Sequence, residues 1–459
     1  MAEGADRSAE TPPGALARLR RLLGGEGIGA VLVRGATGAA AANAAGALLA
    51  FLAQLVLARL LGVTQYGYYV YAFAWVMVLA QVSRLGFHAS LIRFAAGYRT
   101  QRDWPRLLGI ARRSAQLVFA VSVVAGILLA GTALALHARL AAGQVETFLL
   151  AAVLLVPLAL LGVTQGLLQG YRRPARAILP FRTLVHGGTL AVALVAAATV
   201  GLHDAPRAMG ITAAVGLASL AVAARWVWQA MRDDVAGAHP AHETRFWLRT
   251  SLPMLLMAGM QIVMKQTDTV MLGAMSGTDA AGIYFPLARM SELAAFGLLS
   301  VNAIVAPMIA ELHTRDERHR LQRLLTLAAI GTSAVTVAAA LAFWLLGEWV
   351  LGLFGPAFTA GYPALVVLLA GQVVNALCGP VGMVMTMTGH QDRASLVLVG
   401  GAALNVVLNA VLIPRYGLMG AATATAISVV FWNLWMLIEV VGRHRLNPSV
   451  FARWPSLRF

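Results

Sequence analysis

Residues 252–276 read LPMLLMAGMQIVMKQTDTVMLGAMS. The stretch has the length and apolarity of a membrane crossing, which takes about 20 residues. Yet Lys265 and Asp268 sit in its interior, and Lys265 is the only lysine of the chain. At 1.5 Å per residue, Lys265 lies roughly 20 Å along a helix from Leu252, near mid-bilayer. A charge at that depth is costly and faces a bundle interior or a wet cavity. Gln261, Lys265, Asp268 and Thr269 share one helical face. The stripe therefore predicts a gap between two halves, lined in part by Gln261, Lys265 and Asp268. The i, i+3 spacing pairs Lys265 with Asp268. Met257, Met260, Met264 and Met271 read as packing or lipid contact.

Composition points the same way. The 459-residue chain is 59% hydrophobic and 12% charged, against about a quarter charged in ordinary soluble domains. That is an all-α polytopic membrane protein. The net charge of +16 would suggest nucleic acid in a soluble chain, but the arginines lie in loops between apolar runs and report topology. One cysteine, Cys378, excludes an intrachain disulfide and a cysteine-rich metal site. No cleavable signal is evident.

Run length marks about twelve crossings, with cores at 38–61, 67–85, 115–136, 146–167, 180–200, 209–230, 252–275, 281–308, 324–346, 362–387, 394–413 and 418–441. Alternate loops hold the arginines: 93–113, 172–176, 232–249, 315–323, the turn with Arg393, and the two ends. The intervening loops carry little beyond Arg139, Arg207 and Arg415. The rich set is expected to face the cytoplasm, with both termini. The division follows: a tail over 1–35 with a short basic amphipathic stretch at 14–24, a first lobe over 36–231, a linker over 232–249, a second lobe over 250–442 and a tail over 443–459. No loop is large enough for a catalytic domain. Phosphate loops, GxGxxG before a helix, HExxH and nucleophile motifs are all missing, so the chain is not expected to be an enzyme. A short repeat links the lobes. Residues 58–72 read ARLLGVTQYGYYVYA and residues 270–288 read VMLGAMSGTDAAGIYFPLA. Each runs helix, Leu-Gly, polar turn, then Gly-x-Tyr opening the next helix, as duplicated six-helix transporters do.

Several stretches together resemble the polysaccharide transporter family of lipid-linked oligosaccharide flippases, within the multidrug/oligosaccharidyl-lipid/polysaccharide (MOP) superfamily. They are ARLLGVTQYGYY (58–69), LGFHASLIRFAA (85–96), QGYRRP (169–174), TDTVMLGAMSGTDAAGIY (267–284), LFGPAFTAGYPAL (353–365) and ALNVVLNAVLIPRYGLMGAATAT (403–425). The resemblance implies a MATE-like fold of two six-helix lobes around a cavity that opens alternately to either side. It implies a polyprenyl-(di)phosphate-linked glycan as cargo, for capsule, exopolysaccharide or O-antigen assembly, in the bacterial inner membrane. Glycan polymerase or ligase machinery would be its partners. It implies no cofactor and leaves coupling to Na+ or H+ open. A multidrug or cation antiporter of the same superfamily is the alternative, and a membrane polymerase or glycosyltransferase a more distant one.

An anionic phosphate head calls for buried cations. Candidate binding residues are Lys265, Asp268 and Gln261 on the striped segment, and Arg289 and Glu292 on the next, whose i, i+3 spacing repeats that of Lys265 and Asp268. The four charges are expected to form one network. Arg84 and Arg93 are placed at the inner mouth. Asn43 and Asn302 are further candidates for the cavity wall. Asn375, Asn405 and Asn409 read as interhelical hydrogen-bonding groups, Arg59 as snorkelling to the outer interface, and His186 as structural.

Overall fold

The computed structural model describes residues 28–452; the side chain of Asn43 and the basic stretch at 14–24 lie outside the described residues. Among those residues there are helices and no strands. A helix satisfies its own backbone polar groups, which hydrocarbon cannot do. Among the described residues, eight helices are long and apolar enough to cross a membrane, and nine if the bent pair Thr244–Ile262 and Met264–Met275 counts as one crossing.

Two of these helices are hairpins. Helix α1 (Ile28–Ser83) breaks at Gly62, where φ is 70° and ψ 174°. Tyr66 Oη donates to Gln54 Oε1 at 2.9 Å, although in a straight helix residues twelve apart lie about 18 Å apart. The chain has therefore doubled back. A Cβ at Gly62 would meet nothing within 4 Å, so glycine is needed there for its left-handed φ, not for space. The last long helix (Gln391–His444) repeats the device at Gly417, with φ 52°. Asn405 Nδ2 reaches Thr425 Oγ1 at 3.2 Å across twenty residues, a straight-helix distance of about 30 Å. Splitting both hairpins and adding the bent helix and the broken run Thr278–Thr314 recovers the about twelve passes expected from run length.

The remaining elements are α2 (Phe87–Gln101), α3 (Trp104–Ala135), α4 (Ala142–Gly170), α5 (Pro174–Leu179), a π turn (Pro180–Val185), α6 (His186–Thr199) and α7 (Ala205–Met231) in the N-terminal half. The C-terminal half holds α8 (Thr244–Met275), α9 (Thr278–Ala294), α10 (Phe296–Thr314), α11 (Arg318–Phe354), α12 (Tyr362–Cys378), α13 (Val381–Met387) and α14 (Gln391–His444). Run length left 86–112 as a loop, but most of it is α2. Phe87, Leu91, Phe94, Ala95 and Tyr98 form a buried face, while Arg93 and Arg99 are exposed. Such an amphipathic helix shows as a period of 3.6, not as an apolar run.

The repeated turns meet. A Cβ on Gly67 would lie 2.3 Å from the Thr278 carbonyl oxygen, and one on Gly282 would lie 3.0 Å from Gly67 Cα. The two Gly-x-Tyr motifs are thus a backbone-to-backbone crossing of α1 and α9. Thr64 Oγ1 donates to Asp279 at 3.2 Å beside it. Phe51 and Tyr66 pack edge-on against Phe354 and Phe358. This end of the bundle is closed.

The other end carries the arginine-rich loops. Arg106 bonds Glu243 at 2.9 Å, Trp247 Nε1 donates to Tyr98 at 3.0 Å, and the Ser90 and Ser251 hydroxyls are 2.6 Å apart. All of these tie the first turns of α8 to the N-terminal half. Among the described residues, the side-chain bonds and ring contacts between halves fall either on those turns or at the closed end. The far ends of α10 and α14 and the start of α11 share none with the N-terminal half. The halves cross at one end, and at the other they are joined through the first turns of α8.

Gly67→Val should therefore destabilise the protein by about 1–3 kcal/mol, the cost of overpacking a tight contact. Thermal melting in detergent checks this, and an unchanged melting temperature contradicts the crossing.

Candidate functional site

The polar stripe of α8 divides by depth of burial. Gln261 is exposed, and the Lys265 side chain is 54% exposed, with its ammonium 3.6 Å from Glu292. Glu292 also holds Arg289 at 2.8 Å, and the Arg289 guanidinium lies 4.7 Å from the Phe285 ring centroid. Lys265 is ten residues from the Met275 end of α8 and Arg289 eleven from the start of α9. Both are then about 15 Å from the closed end, half the thickness of a hydrocarbon core. Charges at that depth survive where water or counter-ions reach them, and here both share the Glu292 carboxylate.

Asp268 belongs elsewhere, which corrects the expected Lys265–Asp268 pair and the single four-charge network. Its carboxylate is 4% exposed and takes four neutral donors. Tyr284 Oη donates at 2.7 Å, Asn409 Nδ2 at 2.7 Å, Asn405 Nδ2 at 3.3 Å, and Thr425 Oγ1 in a short contact. The donors come from α9 and from both arms of the α14 hairpin. No cation is paired with Asp268 among the described residues. Isolated buried charge is strongly penalised, so this carboxylate needs a proton or a small cation as well as its hydrogen bonds. Asn409 Oδ1 is buried beside it without a partner. With Asp268, Asn405 and Thr425 it makes a set of hard oxygen donors, the kind hard cations take. Of the three residues expected to line a gap, Gln261 and Lys265 are exposed and Asp268 is buried.

Arg84 also departs from expectation. It lies at the turn between α1 and α2, with Nη1 on Gln81 at 3.0 Å and Nη2 on the Leu158 carbonyl at 3.0 Å. Its side chain is folded over Gly162, where a Cβ would lie 2.5 Å from Nε. It ties α1 to α4 inside the N-terminal half and is not at a mouth. Arg93 is exposed on α2. Asn302, on α10, is half-buried with Oδ1 unpartnered. His186 packs against Phe181. A cavity of about 360 Å³ lies away from the charges, between α1, α3 and α4, lined by Tyr71, Trp75, Leu128, Leu129 and Phe148 among others.

Arg182 is the functional candidate that sequence reasoning missed. It sits on the π turn Pro180–Val185, within electrostatic reach of Glu292 and Arg289 from the opposite half. Such turns interrupt helices mostly at functional sites. The available signal was Pro180 in mid-segment, which removes a helical hydrogen bond. A Cβ on Gly46 of α1 would lie 2.8 Å from Arg182 Cβ, so the first helix presses directly on this turn. Lys265 and Arg289 thus pair with one carboxylate, and Arg182 of the other half lies within electrostatic reach of it, a set of cations that can receive an anion.

The comparisons agree with this fold. The family described as "Polysaccharide biosynthesis protein" matches residues 32–313. A protein of Haloferax volcanii named "Probable flippase AglR" is 27% identical over 170 residues, 36% of this chain and 36% of that protein. A "Probable low-salt glycan biosynthesis flippase" of the same organism is 22% identical over 162 residues, 35% of this chain and 34% of that one. The chain thus spans about a third of the length of these curated relatives. Among solved structures, the inward-facing conformation of a multidrug resistance MATE family transporter of the MOP superfamily superposes with a TM-score of 0.68 at 17% identity. That match covers 87% of this chain and 96% of the other.

The two environments make a sharp thermodynamic prediction. Lys265→Met and Glu292→Gln should couple by about 0.2–1 kcal/mol, the scale of a part-exposed pair. Lys265→Met and Asp268→Asn should couple more weakly than that, since among the described residues the two side chains neither touch nor share a partner. Double-mutant cycles on thermal stability in detergent check both. Strong Lys265–Asp268 coupling would contradict the structure.

Proposed function

Because the chain belongs to the family of polysaccharide biosynthesis proteins, is similar over part of its length to a protein named as a probable flippase and shares the fold of a MATE family transporter, we propose that it moves a polyprenyl-(di)phosphate-linked oligosaccharide across the cytoplasmic membrane. The single observation that carries this reading is the cluster of Lys265, Arg289 and Arg182 at mid-depth, opposed by one carboxylate. A sugar needs no cation, but a phosphate head does, and guanidinium and ammonium groups are its usual ligands.

The lobes 36–231 and 250–442 act as two bodies joined by the linker 232–249. Their hinge in the observed state is the glycine crossing of α1 and α9. The head enters from the arginine-rich end, which is the cytoplasmic one with both termini. It meets cations from both halves, and closure around it moves the opening to the other face. Gln261, on the stripe of α8, is positioned to hydrogen-bond the sugar. Asn302, and Asn43 from the first helix, belong to the cavity wall in this reading. Exposed Arg93 attracts the anionic head to the mouth. Asp268 supplies the drive. A proton or monovalent cation entering its cage neutralises the carboxylate and changes how tightly the α14 hairpin is held to α8 and α9. Polymerase or ligase machinery receives the product.

The buried carboxylate at Asp268 is also the observation that favours a second reading, cation-coupled drug export. The two part on the role of the cationic cluster, since a drug antiporter has no use for three cations around its cargo.

In a strain that depends on this protein for surface glycan, Lys265→Ala combined with Arg289→Ala should abolish export, by at least about 100-fold in accumulated product. Loss of two charge-assisted contacts of about 1.5 kcal/mol or more each has that size. The variant should still insert and fold, as shown by its elution and melting profile. Unimpaired glycan export with lost drug resistance would favour the antiporter.

A further inference from the structure

Glu292 stands out as the one acid in the cationic cluster. It bridges Arg289 at 2.8 Å and Lys265 at 3.6 Å, and these three side chains are 37%, 30% and 54% exposed. They face open space, where an incoming anion can compete. Arg182 lies within electrostatic reach of the same carboxylate from the other half, but makes no ion pair among the described residues. His186, one turn further on, interacts with Arg289 and Arg182 and adds no acid. Three cations and one carboxylate leave two positive charges uncompensated.

We propose that Glu292 is a displaceable counter-ion: a phosphate head takes Lys265 and Arg289 from it, and the freed carboxylate pairs with Arg182 and draws the open ends of the two halves together. This rests on the reading of a phosphate-headed cargo. Its physical basis is that a carboxylate and a phosphate cannot share the same two cations without repelling each other. Among the described residues, the other cation within electrostatic reach of Glu292 is Arg182, which belongs to the opposite body. Arg182 is held from behind, since Gly46 leaves no space at its Cβ. The flexible partner in the exchange is therefore Glu292. In the empty transporter Glu292 is satisfied within its own half, and among the described residues no ion pair joins it to the opposite half. Cargo binding creates the bond that closes them, so closure is tied to loading.

The test uses the full-length protein in nanodiscs, with inorganic pyrophosphate as the probe. Spin labels are placed at Gln101→Cys and His319→Cys in a Cys378→Ala background. Gln101 and His319 are exposed, at the arginine-rich end of the N- and C-terminal halves respectively. Calorimetry reports binding, and pulsed electron spin resonance reports the distance between halves. Pyrophosphate is expected to bind the parent protein and to shorten the distance. Glu292→Gln is expected to bind it about tenfold more tightly, or about 1.4 kcal/mol, because the competitor is gone, yet to leave the distance unchanged. Arg182→Gln is expected to bind and also to leave it unchanged. Equal or weaker binding by Glu292→Gln overturns displacement. Shortening in either variant, or none in the parent, overturns the latch. If neither the parent nor Glu292→Gln binds pyrophosphate, the proposal falls together with the phosphate-headed cargo. Binding without an effect of Glu292→Gln overturns the proposal alone.

Discussion

A charge in hydrocarbon must be hydrated, paired or hydrogen-bonded on every side, and this constraint shapes the bundle. Two acids lie deep in the C-terminal half, and each meets the constraint in its own way. Asp268 is wrapped by Tyr284, Asn405, Asn409 and Thr425. That cage requires the α14 hairpin to fold back at Gly417 and both its arms to dock on α8. Glu292 is paired with Arg289 and Lys265, and all three side chains are part-exposed. The closed cage and the open gap lie within one helical turn of each other on α8. Coupling between a driving ion and a cargo needs this kind of proximity, with the two sites sharing one rigid element.

Much of the fold was legible because a bilayer simplifies the problem. Apolar runs of about 20 residues have few alternatives to a helix, and arginine asymmetry orders the loops. The Gly-x-Tyr repeat was legible as a repeat, but its consequence was not. That Gly67 and Gly282 touch is a statement about two turns more than 200 residues apart, and nothing in either stretch names the other. Helix α2 was hidden by method: its apolar face is periodic, and a search for continuous runs passes over it.

The site was legible in composition and misread in pairing. Lys265, Asp268, Arg289 and Glu292 were all visible as charges in apolar segments. Local spacing suggested Lys265 with Asp268, because i, i+3 neighbours can touch. Tertiary partners won instead. Asn405 and Asn409 lie about 140 residues from Asp268 in sequence and offer it a neutral cage, while Glu292 lies across the α8–α9 turn and faces Lys265 in the gap. Arg182 was overlooked because it reads as one more arginine until the fold brings it within electrostatic reach of Glu292. Arg84 read as a mouth residue from its place at the end of an apolar run. Its bonds to Gln81 and the Leu158 carbonyl belong to packing that only the fold reveals.

The central claim is that the gap reaches mid-membrane from the arginine-rich end and exposes Lys265 but not Asp268. Sided thiol labelling tests it most directly. In a Cys378→Ala background, Lys265→Cys and Thr425→Cys are each exposed to a membrane-impermeant maleimide in inside-out and right-side-out vesicles. The account predicts labelling at position 265 from the cytoplasmic face alone, with position 425 protected from both faces. Protection at 265 from both faces, or labelling at 425 equal to that at 265, would contradict it.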